Sequence, residues 1–139
     1  MICCLPSFSA TIARGYFTWQ PGKNSALYTL KGRLQMKKCK ITVMRISRYE
    51  DLMAQYENPI SHACDMAVGQ VFIADGWAKP EGFCQSAWDT LSPFVLALSH
   101  GGENFYDGWM KNPKSAMLSC NDGFRPVSFL VETLDVDAD

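Results

Sequence analysis

Every one of the 14 acidic residues in this 139-residue chain lies at or after Glu50, whereas residues 1–35 carry Arg14, Lys23, Lys31 and Arg33 and no acid at all. Such complete segregation divides the chain into two kinds of sequence. The junction reads Lys31-Gly32-Arg33-Leu34-Gln35-Met36. Codons of the form AAR-GGN-AGR two codons before an ATG spell a purine-rich bacterial ribosome-binding site, so the sequence predicts translation from Met36 and a leader or disordered extension over residues 1–35. Pyrimidine-rich genomic codons at that junction would remove this expectation. Residues 36–139 are then enough for one domain around one hydrophobic core and too few for two.

From Met36 onward, nine basic residues face the 14 acidic ones. A small domain with that excess of acid repels phosphate backbones, which argues against a nucleic-acid partner. The basic cluster Lys37, Lys38, Lys40, Arg45 and Arg48 is better read as solvated edge-strand charge that discourages aggregation. No run approaches the length of about 18 apolar residues that a membrane span needs, and from Met36 onward Phe94–Leu98 is the longest uninterrupted apolar stretch. The first 13 residues are apolar but lack the preceding basic residue and the small-residue cleavage site of an export signal. A soluble cytoplasmic protein is the expectation. Cys39, Cys64, Cys84 and Cys120 are expected as reduced thiols, since Val, Leu, Phe and Trp suffice to build the core without disulfides.

Alternation of apolar and polar residues from Lys37 to Ile46 predicts a first strand with Cys39, Ile41 and Val43 on one face. Arg48–Tyr56 reads as a short helix stopped by Asn58-Pro59, and residues 60–68 as loop. Val68–Ala74 reads as a second strand ended by the turn pair Asp75-Gly76. A helix is expected to open near Pro80 and Glu81 and to carry Ala87, Trp88, Leu91, Val95 and Leu98 at helical spacing. Ser92-Pro93 predicts a kink or a second helix capped by Ser92. An unusually apolar loop with Phe105, Tyr106, Trp109 and Met110 follows, then two strands, Ser115–Cys120 and Pro126–Leu134, joined through Asn121-Asp122-Gly123. Asp135–Asp139 reads as a frayed acidic tail. The order predicts an α+β domain, with helices packed on one face of a small, mostly antiparallel sheet of three or four strands.

Cys84 is the first candidate for chemistry, because the amide donors at the start of a helix stabilise a thiolate and would suit a catalytic nucleophile. A buried, inert thiol is the commoner role for such a residue. Cys64, Cys84, Cys120 and His62 could converge as thiolate and imidazole ligands for zinc or an iron–sulfur centre, although only His62-Ala63-Cys64 is close in sequence. Trp77 and Trp109, both in loops, are the candidates for contact with a small ligand, whereas Trp88 at helical spacing belongs to the core. No glycine-rich phosphate loop, G-x-S-x-G elbow or H-E-x-x-H motif is present.

Four segments together carry a resemblance: Met36–Val43; Gly69-Gln70-Val71-Phe72; Asp75–Cys84 with Ala87-Trp88; and Cys120–Val127, which reads CNDGFRPV. They resemble a family of short prokaryotic proteins of about one hundred residues, common in anaerobes, to which no activity is attached. The likeness runs from Met36 to about Leu134 and leaves residues 1–35 outside it, which agrees with a start at Met36. It implies that thiols at Cys64, Cys84 and Cys120 matter beyond packing, without identifying a ligand or reaction.

Three readings follow. The first is a small binding or accessory protein in which Cys64, Cys84 and Cys120 gather near a metal or small ligand beside Trp77 and Trp109. The second is a thiol-dependent enzyme with Cys84 as nucleophile. The third is an interaction module, recognising a protein partner, that performs no chemistry.

Overall fold

The computed structural model describes residues 35–139, so the reading of residues 1–34 as leader lies outside the described residues. The elements are β1 (Lys37–Ile46), α1 (Glu50–Tyr56), β2 (Val71–Ala74), α2 (Gln85–Ser99), a single turn α3 (Phe105–Gly108), β3 (Ser115–Ser119) and β4 (Val127–Asp137). The strands form one antiparallel sheet in the order β2-β1-β4-β3. An α+β fold results, as the alternation of elements predicts.

Period-two patterning explains the buried face. Cys39, Ile41 and Val43 of β1, Val127, Phe129 and Val131 of β4, and Ala116 and Leu118 of β3 all point into the core. Helix α2 covers that face with Ala87, Leu91, Val95 and Leu98, a stripe at helical spacing whose members are at most 1% exposed. Phe83, just before the helix, plugs one side by packing edge-on against Phe72 and tilting against Phe129. On the opposite face Lys40 pairs with Glu132, and Val71, Ile73, Met44 and Met117 are exposed.

The structure corrects four local expectations. Strand β1 is central, not an edge, and its lysines are engaged: Lys37 with Asp137 at 2.6 Å, Lys38 with Asp139 at 2.8 Å, and Lys40 with Glu132 at 2.8 Å. The acidic tail is accordingly part of β4, which runs to Asp137. Beyond that residue the Ala138 amide donates to the Met36 carbonyl at 2.7 Å and the Asp139 amide to the Asp75 carboxylate at 3.0 Å. Backbone pairing and opposite charge stabilise what composition alone would leave to fray.

Helix α2 begins at Gln85, later than the proline suggests, because Gly82 takes φ +70° and turns the chain out of helical geometry after Pro80. The helix also runs unbroken through Pro93, whose ring lies on the exposed side, so the buried stripe stays in register. Helical cover comes from α2, whereas α1 has no buried residue. Helix α1 is tied down from its far end, where the Arg125 guanidinium grips the Glu57 carboxylate with two hydrogen bonds.

Candidate functional site

Two concavities carry the sequence-predicted residues, and they divide them. The first, about 280 Å³, is lined by His62, Ala63, Cys64, Asp65, Met66, Gln70, Gly82 and Cys84. The second, about 650 Å³, is lined by Met36, Trp77, Trp88, Ser92, Pro93, Leu96 and His100.

Cys84 reaches the first pocket as the N-cap of α2. Its carbonyl accepts from the Trp88 amide at 2.9 Å, and its side chain makes no capping hydrogen bond. Cys64 arrives from the irregular segment between α1 and β2 and is exposed. The His62 imidazole lies 3.1 Å from the Asp65 carboxylate on the same segment, and the Gln70 carboxamide accepts from the Ala67 amide at 3.2 Å. Two thiols separated by β2 in sequence thus line one pocket with an imidazole.

The other two described cysteines belong to the fold. Cys39 is fully buried with its thiol directed at the Val95 carbonyl 3.8 Å away, and burial pushes its pKa up to about 11, so it stays protonated and unreactive. Cys120 follows β3, where its sulfur accepts the Val127 amide at 3.3 Å and its own amide donates to the Val127 carbonyl at 3.0 Å. The metal set expected from sequence is therefore not assembled: Cys64, Cys84 and His62 line the pocket, Cys120 is occupied at the hairpin, and among the described residues no three His, Cys, Asp or Glu side chains are arranged to hold an ion. The hairpin turn stands on Asp122, whose carboxylate accepts the amides of Phe124 and Arg125, and this chemistry serves the turn.

The second pocket is apolar with two polar corners. Trp77 follows the Asp75-Gly76 turn. There Gly76 has φ +58°, which favours glycine, and an added Cβ would come 3.1 Å from the end of the Met36 side chain, which would have to shift. Trp88 packs edge-on against Phe83 on one side and lines the pocket on the other, so it serves core and cavity together. Pro93 and Leu96 continue the floor. His100 holds Nδ1 2.8 Å from the Leu96 carbonyl and 3.2 Å from the Ser99 hydroxyl; the tautomer protonated on Nδ1 donates to that carbonyl and leaves Nε2 to accept. Cavities of roughly 300–1,000 Å³ with apolar walls and few polar groups are the usual form of small-molecule sites.

Trp109 stands apart from both. It is 82% exposed and stacks on Tyr106, which in turn packs on Phe94. The turn that carries it holds Asn104, Tyr106 and Asp107 at positive φ, a backbone that costs about 1–2 kcal/mol per non-glycine residue. Trp77 and Trp109 are thus not two walls of one site. Sequence reasoning missed Met36, Leu96 and His100. A signal existed for the last two, since Trp88, Ser92, Leu96 and His100 recur every fourth residue beside the core stripe and mark a second flank of α2.

Among the described residues no helix is long and apolar enough to cross a membrane. No protein-family model, curated protein or solved structure matches this chain.

Proposed function

We propose that the protein binds a small, flat, largely apolar molecule between Trp77 and Trp88, oriented by a hydrogen bond to His100. The 650 Å³ cavity with two indoles on its walls carries this reading. Burial of aromatic surface supplies the affinity, and the Nε2 acceptor favours ligands with one N–H or O–H donor over isosteres without it. The pairing of Lys37, Lys38 and Lys40 with acids supports a partner other than nucleic acid. The four free cysteines among the described residues support a reducing, cytoplasmic setting.

Calorimetric titration of the full-length protein with indole and with N-methylindole tests both features. Indole is expected to bind more tightly, Trp77→Ala to weaken both ligands by about tenfold or more, and His100→Ala to abolish the preference for indole. Equal binding by Trp77→Ala and the parent protein, or no binding of either ligand, would overturn the reading. Trp77 is 66% exposed, so its removal is expected to leave the fold intact.

A further inference from the structure

We infer that Cys64 and Cys84 form a thiol–disulfide exchange site that takes a small soluble disulfide of the glutathione type and ends as a Cys64–Cys84 disulfide. These thiols line the smaller pocket, so the inference does not depend on ligand binding at Trp77.

Three observations lead there. Of the four described cysteines, two are engaged by the fold, Cys39 under α2 and Cys120 at the hairpin, whereas Cys64 and Cys84 face the same 280 Å³ cavity. The two differ in access as an attacking and a resolving thiol should, since Cys64 is exposed and Cys84 is half-buried. Cys64 also lies on a segment that can move without dismantling the sheet. From Asn58 to Met66 no backbone hydrogen bond is formed among the described residues, and the segment is held at its end, where Met66 packs against the core, Gly69 and Gln70 pair with the Val43 backbone, and the Gln70 amide donates to Ala67. Closing a disulfide requires the two α-carbons to come within about 4.4–6.8 Å, and a weakly tied strand of chain can adjust to meet a partner fixed at a helix terminus.

The chemistry balances without another reagent. The Cys64 thiolate attacks one sulfur of the small disulfide; that S–S bond breaks, one small thiolate leaves and takes up the proton Cys64 lost, and Cys64 holds a mixed disulfide. Cys84, deprotonated, then attacks the Cys64 sulfur, the mixed S–S bond breaks, and a second small thiol departs with the proton from Cys84. Two protein thiols are oxidised by two electrons and one small disulfide is reduced to two thiols.

Full-length protein, reduced and freed of reductant, is titrated with oxidised glutathione and followed by intact mass and peptide mapping. The expected product gives a peptide joining Cys64 to Cys84, two hydrogens lighter than the reduced pair and free of glutathione at both sulfurs. Cys84→Ser is expected to stop at a stable glutathione adduct on Cys64, and Cys64→Ser to react at least about tenfold more slowly at Cys84 because that sulfur is less accessible. A lasting adduct on Cys64 or Cys84 of the parent protein, a cross-link from either of them to another cysteine, or no reaction at them would each overturn the inference. The decisive measurement is made on the unmodified sequence, so a variant that fails to fold leaves it standing or fallen on its own result.

Discussion

The two pockets share helix α2 but not their other walls. On the tryptophan side the helix contributes Trp88, Ser92, Pro93, Leu96 and His100, and the facing wall is Trp77 on a glycine turn beside Met36. On the cysteine side the helix contributes only its cap, Cys84, and the facing wall is a mostly exposed segment with few backbone bonds of its own. A preformed wall suits recognition, because little conformational entropy remains to be lost on binding. A loosely tied wall suits a covalent step in which two sulfurs must approach and separate. One helix thus supports two kinds of site by offering its flank to one and its terminus to the other.

The sharpest way to break this comparison is to remove what both pockets stand on. Leu91 is fully buried at the centre of the α2 stripe, and Leu91→Ala is expected to cost about 2–5 kcal/mol in denaturant unfolding. Indole binding and the slow alkylation of Cys84 should then fail at the same denaturant concentration, since both depend on α2; separate midpoints would show that the pockets are not supported by one helix.

A smaller change addresses the tryptophan side alone. Gly76→Ala places a methyl group 3.1 Å from the Met36 side chain at φ +58°, and should destabilise by about 1–2 kcal/mol. Indole affinity is expected to fall with it, while the rate of Cys64 alkylation stays unchanged. Equal effects on both would count against separate walls.

The smallest expected effect addresses the start of the cysteine segment. Hydrogen bonding to the Arg125 guanidinium holds the Glu57 carboxyl below the usual carboxylate range. A depressed folded pKa contributes stability that is present above the unfolded value, near 4.3, and is lost as pH falls through the folded one. The parent protein should therefore exceed Glu57→Gln in unfolding free energy at neutral pH, with the difference shrinking on acidification below about pH 4. A constant difference across that range would mean that the ion pair does not anchor the segment.

Much of the fold was legible because it depends on short-range pattern. The alternation in Lys37–Ile46 and Val127–Val131 identifies the buried face, and the spacing of Ala87, Leu91, Val95 and Leu98 identifies the helix that covers it. The acidic tail was misread because its partners, Lys37 and Lys38, are distant in sequence and meet it only through strand order. For the site, His62, Cys64 and Cys84 were recognisable as chemically capable types, and they line one pocket, whereas the sequence expectation also gathered Cys120 there. The inclusion of Cys120 was not supported, since a turn residue and a pocket residue look alike until hydrogen bonds assign them. Trp77 and Trp109 likewise look equivalent as loop tryptophans, yet one lines a cavity and the other stacks on Tyr106 in solvent.

By itself the sequence determined the class of fold, the single core, and which side of each principal strand faces it, because side-chain alternation and helical spacing are properties of neighbours along the chain. The tertiary structure alone decided that β1 is central, that the terminal acids close onto its lysines, and that Cys64 and Cys84 line one pocket while Cys39 is buried and Cys120 lies at the hairpin. Those outcomes depend on the strand order β2-β1-β4-β3 and its register, which bring together residues whose separation along the chain carries no signal of their meeting.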